Sequence, residues 1–123
     1  MTITLAVSFP DILIISSSGP AATDQNSSMG TYYRMDGVSR FNRPMWKKEG
    51  EDLFFYFEPN SHWAVGPDIS SNSPLIYQSD FHLLYPPQTN WKYKNSNKKY
   101  ELDTQLQVVG ENMRGELNNI ATV

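Results

Sequence analysis

The feature that most constrains this chain is a run of short aromatic segments between residues 30 and 66. Tyr32, Tyr33, Trp46 and residues 53–63 lie on stretches that alternate in hydrophobicity and are interrupted by Gly, Pro and Asn. Alternation with a period of two is typical of β-strands, and closely spaced turn residues favour antiparallel pairing. The sequence therefore predicts an all-β fold, a small antiparallel sandwich or barrel of about eight short strands.

The same alternation recurs along the rest of the chain. The clearest hairpin has Asn60 and Ser61 at its turn, which places Trp63 and Val65 on one face of the next strand. The strand before that turn is apolar on both faces, so we expect it near the centre of the sheet. The candidate strands are residues 3–9, 12–17, 30–35, 44–48, 53–58, 63–65, 75–78, 91–94 and 106–109.

The length of the chain suits one domain with an aromatic-rich core. It has 123 residues, of which 13% are aromatic, and each aromatic side chain can remove roughly 150 to 250 Å² from water. We predict a single β-domain over residues 1–110, in which the polar segment 19–28 is an exposed loop. Near the end of this domain, Leu102, Leu106 and Val108 are predicted to form the final apolar edge.

Residues 111–123 are predicted to be a tail that is either helical or disordered. Met113, Leu117 and Ile120 are spaced by four and three residues, as on one face of a short amphipathic helix. Gly115 weakens that helix, since glycine costs about 1 kcal/mol relative to alanine in a helix interior. Both alternatives therefore stay open.

Composition excludes several classes of partner. The net charge is −3 and the isoelectric point is about 5.2, so the chain lacks the positive field that holds nucleic acids and acidic membranes. We predict neither nucleic acid nor membrane as a partner. There is no cysteine, which permits a reducing compartment, and residues 1–9 make a poor secretory signal. The compartment stays undetermined, with the cytoplasm favoured.

One segment allows a competing interpretation. Basic residues interleave with aromatic ones between residues 33 and 48, a pattern that can bind single-stranded nucleic acid. Basic residues on an edge strand also prevent unwanted strand pairing, and this second interpretation needs no ligand. The basic residues are Arg34, Arg40, Arg43, Lys47 and Lys48.

The sequence predicts no catalytic or metal site. The serine runs lack the Gly-x-Ser-x-Gly turn that exposes a nucleophile. Asp80 and His82 would share one face of a strand, but two ligands do not complete a metal site. Glu49, Glu51 and Asp52 are expected to be a solvated hairpin tip. We therefore predict that the protein is not an enzyme and uses no metal or cofactor.

The aromatic side chains allow two interpretations. Trp46, Trp63 and Trp91 are expected to be core anchors whose indole N–H groups find backbone carbonyls. The alternative is a flat aromatic face that stacks on a sugar or binds a peptide, and burial of all three tryptophans would remove the sugar-stacking version. The candidate ligand-binding residues are Trp46, Trp63, Tyr32, Tyr33, Tyr56, Tyr77 and Arg43.

Several blocks of the sequence occur in a fixed order with characteristic spacing. They are residues 18–22, 30–32, 42–46, 55–57, 62–68, 85–87 with Trp91, and 103–108. In this order the blocks resemble a small tryptophan-containing β-module that occurs in multidomain proteins of marine invertebrates and protists. Related modules read Asn-Gly-Arg-Pro where this chain has Asn42-Arg43-Pro44, and they carry a tryptophan near the position of Tyr100. The resemblance implies a β-fold and a recognition role, and it brings no catalytic residues.

Two functional hypotheses follow. The first is a non-catalytic recognition module that binds a protein or glycan through an aromatic-rich face and its loops. The alternative is a structural subunit of a larger assembly, in which residues 1–10 and 111–123 pack onto neighbouring chains. The oligomeric state is undetermined under either hypothesis.

Overall fold

The structure of the protein, a computed structural model, describes residues 9–111. These residues form nine antiparallel strands in one curled half-barrel sheet, which confirms the predicted all-β fold. The strands are β1 (Ile12–Ser17), β2 (Gly30–Arg40), β3 (Arg43–Lys48), β4 (Phe54–Phe57), β5 (Trp63–Gly66), β6 (Ile76–Gln78), β7 (Trp91–Lys94), β8 (Tyr100–Leu102) and β9 (Leu106–Glu111). Their order across the sheet is β8-β7-β6-β5-β4-β3-β2-β1-β9.

The chain forms a meander from β2 to β8 and then returns to the opposite edge. The returning strand β9 pairs with β1, and β1 also pairs with β2. The Val108 backbone N–H donates to the Gln88 carbonyl at 2.9 Å, which links β9 to the segment that leads into β7. This contact brings β9, at one edge of the sheet, close to the segment before β7, which lies next to the opposite edge. Such an approach requires a curled sheet.

The core lies on the inner face of the sheet and is built around three tryptophans. Trp46, Trp63 and Trp91 have no exposed surface, and the Trp46 and Trp63 ring centroids are 5.9 Å apart. Each indole N–H donates to a backbone carbonyl at 3.0 Å, and the acceptors are Pro10, Leu83 and Pro87 in that order. The prediction of three core anchors is confirmed.

The β4–β5 hairpin has the predicted register. Phe57 pairs with Trp63 and Phe55 pairs with Val65, and all four side chains lie in the main core. Tyr56 points to the opposite, outer face, where it is buried in a second, smaller cluster. Strand β4 has four strands on each side of it, so its predicted central position is confirmed.

The segment 19–28 is not the exposed loop that the sequence predicted. It forms a short helix α1 (Ala21–Asp24) and a 3-10 turn (Asn26–Ser28), and Ala21 and Ser28 are completely buried. The Gln25 side chain donates to the Lys94 carbonyl at 2.7 Å. Because the Asp103 carboxylate accepts the Ala21 N–H at 3.0 Å, the polar backbone of this segment can be buried without loss.

The end of the predicted domain differs from the structure at Leu102. Leu102 was expected to be part of an apolar edge, but it is 49% exposed, because it lies on the outer face of β8. The predicted strand 3–9, except Phe9, and the predicted tail, except Glu111, lie outside the described residues. In the described part of the chain, no helix is long and apolar enough to cross a membrane.

Candidate functional site

Four of the seven predicted binding residues cannot form a binding surface. Trp46, Trp63, Tyr32 and Tyr56 are completely buried, so that prediction is corrected: these rings fill the two cores. The Tyr32 hydroxyl donates to the Ser28 carbonyl at 2.7 Å, and burial raises the pKa of both tyrosines. Their rings therefore stabilise the sheet, and a tryptophan-based platform for sugars is absent from residues 9–111.

Arg43 lies beside the buried Trp63 and stabilises the fold, since both side chains donate to the Leu83 carbonyl. Its guanidinium is 3.8 Å from the centroid of the Phe57 ring, and its Nε donates to the Leu83 carbonyl at 3.1 Å. A wide groove of about 800 Å³ passes beside it, along β2 and β3. In this groove Arg34 is also engaged, since its Nη2 is 2.7 Å from Asp11 Oδ1. Both arginines are thus occupied by the protein itself.

Tyr33 and Tyr77 are the two predicted residues whose rings are only partly buried. Tyr33 is on β2 and lines a shallow depression with Asp11, Arg34 and Asp36. Tyr77 is on β6 and lines a separate pocket on the outer face. The structure therefore does not bring the predicted binding residues together on one exposed surface.

The pocket at Tyr77 is the best candidate functional site, and we call it the outer pocket. It has a volume of about 240 Å³ and lies on the outer face of the sheet between the end of β4, β6 and β8. This volume suits a single side chain or a small polar group rather than an extended ligand. Its walls are Glu58, Asn60, His62, Asn72, Pro74, Tyr77 and Tyr100.

Three rings form the aromatic wall of the outer pocket. The Tyr77 and Tyr100 centroids are 4.9 Å apart with planes at 79°, and the His62 and Tyr77 centroids are 5.2 Å apart with planes at 72°. Edge-to-face contacts of this kind are favourable and fix ring orientation. The Tyr100 hydroxyl donates to the Pro74 carbonyl at 2.7 Å, so the wall is held in place from both ends.

Glu58 is the most unusual residue of the outer pocket. It is only 2% exposed, and its Oε2 has no hydrogen-bond partner among the described residues. Glu58 follows β4 directly, and strand alternation directs its side chain to the same outer face as Tyr56. Burial raises the pKa of this carboxyl group to about 7. A buried acceptor without a donor is costly, so Glu58 has a vacant hydrogen-bonding position.

His62 does not fill that position. Its Nδ1 is 2.7 Å from the Gln78 carbonyl, and because a carbonyl can only accept, Nδ1 must carry a hydrogen. In the neutral ring Nε2 is then an acceptor. The His62 ring also contacts Phe81, with centroids 4.3 Å apart. The histidine is therefore fixed against β6 and forms part of the wall.

Asp80 and His82 do not share a strand face as their spacing suggested. Both lie after β6 outside any strand, and His82 has a φ of 59°. Asp80 Oδ2 accepts a hydrogen bond from the Asn90 side chain at 3.0 Å. Within residues 9–111 there is no group of three or more His, Asp or Glu side chains that could hold a metal ion.

Sequence analysis missed most of the outer pocket. A signal was present at Glu58, since a carboxylate that continues the alternation of a strand with two apolar faces must be at least partly buried. Asn60, Asn72 and Tyr100 carry no such signal. They come from a turn, a loop and a strand whose neighbours in space depend on the order of the strands in the sheet.

Comparison of the chain with family models, with curated proteins and with solved structures finds no match. The resemblance to the tryptophan-containing β-module therefore remains a prediction. The interpretation of the outer pocket depends on its own geometry and chemistry.

Glu58→Gln should remove the decrease in the free energy of unfolding that the wild type shows as the pH rises. Burial raises the pKa of Glu58 from 4.5 to about 7, so the proton favours the folded state; its stabilising effect is complete below 4.5 and is lost as pH rises through 7. Because the glutamine amide also needs partners, we expect the variant to exceed the wild type by about 2 kcal/mol near pH 8 and to match it below pH 4.5.

Urea unfolding at several pH values measures this difference. The exposed Glu49 gives the matched control Glu49→Gln, which should keep the wild-type pH profile. Parallel profiles for wild type and Glu58→Gln would contradict the prediction.

Proposed function

We propose that this protein is a non-catalytic recognition module that binds a protein partner through the outer face of β4 to β8, with the outer pocket at the centre of the contact. The observation that carries the proposal is the buried Glu58 acceptor at an aromatic pocket, since Oε2 has no donor among residues 9–111. A buried polar group of this kind is expected where a ligand supplies the missing partner.

Exposed apolar side chains beside the outer pocket support a protein partner. Phe81 is 60% exposed and contacts the His62 ring. Leu102 is 49% exposed and pairs with Lys92, which in turn pairs with Tyr77, so Leu102 lies on the same outer face. Protein interfaces combine an aromatic or apolar centre with a polar rim, and the asparagines of the pocket provide such a rim.

The tryptophans favour a protein over a glycan as the partner. A sugar-stacking face needs a large open ring, and Trp46, Trp63 and Trp91 are all completely buried. The rings of Tyr77 and Tyr100 are edge-to-face with a small pocket beside them, an arrangement that suits an inserted group.

The chemistry of the outer pocket supports binding rather than catalysis. Among the described residues that line it, Glu58 is the only one with a carboxyl group, and none is a serine or threonine. His62 is hydrogen-bonded to the Gln78 carbonyl, which leaves Glu58 without a partner for acid–base work. Acid–base catalysis normally needs two groups with complementary pKa values.

Selection of peptides from a displayed random library tests the proposal. We expect the selected peptides to lose at least about ten-fold in affinity for Phe81→Ser, because an apolar contact at the edge of the site is removed. Phe41→Ser is the matched control, since Phe41 is 48% exposed at the β2–β3 turn, and it should leave affinity unchanged. NMR then locates the binding site, because the amides of the protein that the peptide contacts change their chemical shifts. The proposal would be overturned if these changes lay away from Glu58, Tyr77 and Leu102, or if no peptide were selected.

A further inference from the structure

Glu58 forms no ion pair with any of residues 9–111. Lys92 lies near the outer pocket, but its Nζ is 6.0 Å from the centroid of the Tyr77 ring. The Lys94 Nζ is likewise 5.6 Å from the Tyr100 centroid. The two ammonium groups therefore lie over rings of the aromatic wall, and neither forms an ion pair with the Glu58 carboxylate.

The remaining residues of the outer pocket do not compensate the carboxylate either. Two are tyrosines, two are asparagines and one is a proline, none of which is a basic residue, and His62 donates its Nδ1 hydrogen to the Gln78 carbonyl. An ionised carboxylate in such surroundings is unstable until a cation arrives. The site is thus complementary in charge to a positively charged group.

We propose that the outer pocket receives the side-chain ammonium of a lysine from the protein partner, with the Glu58 carboxylate as acceptor and the Tyr77 and Tyr100 rings against the methylene chain. This inference rests on the proposed function and specifies what the partner inserts. An ammonium group supplies both the charge and the N–H donors that Glu58 Oε2 lacks. Aromatic rings favour a nearby cation and cover an apolar stem.

The geometry favours lysine over arginine. Glu58 is only 2% exposed at the wall of the pocket, whereas a guanidinium group binds best when its planar fork reaches both carboxylate oxygens side by side. An ammonium is a compact charge that can approach one oxygen from several directions. The volume of about 240 Å³ also suits one unbranched side chain.

NMR titration of the full chain with two blocked amino acids tests this inference. The first probe is N-acetyl-lysine methylamide, and the second is the same compound acetylated at Nε, which keeps the chain and removes the charge. We expect the lysine probe to shift the amides of Glu58, His62 and Tyr77, and the acetylated probe to bind at least about ten-fold more weakly. Glu58→Gln should lose about ten-fold for the lysine probe only, while Lys92→Gln, which removes a nearby charge that does not contact Glu58, should retain full affinity.

Several results would overturn the inference. Equal affinity for the two probes would exclude an ammonium, and this comparison needs no variant to fold. If glucosamine bound more tightly than the lysine probe, the ligand of the outer pocket would be an amino sugar and not a protein side chain. If selected peptides depend on Phe81 while the lysine probe fails to bind, the lysine inference fails and the proposed recognition function stands. If neither peptides nor probe bind at the outer pocket, both fail.

Discussion

Asp103→Ala should lower the free energy of unfolding by about 4 kcal/mol, because it removes the acceptor that holds α1 and the start of β9 to the end of β1. The Asp103 side chain is 2% exposed. It accepts the Ser17 hydroxyl at 2.7 Å, the Ala21 N–H at 3.0 Å and the Gln105 N–H at 2.8 Å. Hydrogen bonds to a charged group contribute about 1.5 to 3 kcal/mol each, and the contributions do not add fully.

Urea unfolding measures the loss, and amide exchange should increase at Ala21 in parallel. Asp103→Asn keeps the shape and loses the charge, so it should cost about half as much. Asp52→Ala is the matched control, because the Asp52 side chain is 89% exposed, and it should change stability by less than about 0.5 kcal/mol. A loss below about 1 kcal/mol for Asp103→Ala would contradict the prediction.

Trp63→Ala should also lower the free energy of unfolding by about 4 kcal/mol, since truncation of a buried tryptophan leaves a large cavity. The Trp63 ring touches three other aromatic rings, with centroid distances of 5.9 Å to Trp46, 5.6 Å to Phe55 and 5.2 Å to Phe57. The indole also supplies the N–H that the Leu83 carbonyl accepts. The loss of this hydrogen bond adds to the cost of the cavity that the missing ring leaves.

Chemical unfolding of two variants separates these contributions. Trp63→Phe retains a ring and loses the hydrogen bond, so it should cost about 2 kcal/mol. Phe81→Ala removes an aromatic ring that is 60% exposed and should cost less than about 1 kcal/mol. If Trp63→Ala were as stable as Phe81→Ala, the central position of Trp63 in the core would be wrong.

The parts of the fold that sequence predicted well are those in which burial imposes a pattern. β1 and β7 have the predicted bounds, and the turn at Asn60 and Ser61 gives the predicted register. These strands alternate because one face packs against the core and the other does not. The pattern is local, so it can be recognised without knowledge of the rest of the chain.

The parts that sequence missed have no burial pattern of their own. The far half of β2, up to Arg40, pairs only with the start of β3 in an exposed ribbon, and β8 has three residues with no buried side chain. Helix α1 depends on Asp103, which is more than eighty positions away from Ala21. Local propensity does not report such distant partners.

The candidate site was predictable only in part for the same reason. Tyr77 is one of the predicted binding residues and lines the outer pocket, and its role in binding stays a prediction. Glu58 and Tyr100 line the same pocket although β5, β6 and β7 lie between β4 and β8 in the sheet. A pocket formed by residues of three separate strands and loops requires the topology before its members can be named.

The position of β1 between β2 and β9 has a consequence for how the chain is made. Every pairing from β2 to β8 joins neighbours in sequence, so these hairpins can close as they leave the ribosome. Ile12 pairs with Glu111, and one edge of β1 therefore stays open until almost the entire described chain has been synthesised. An open strand edge can pair with other chains. Protection of this edge of β1 during biosynthesis thus depends on β9.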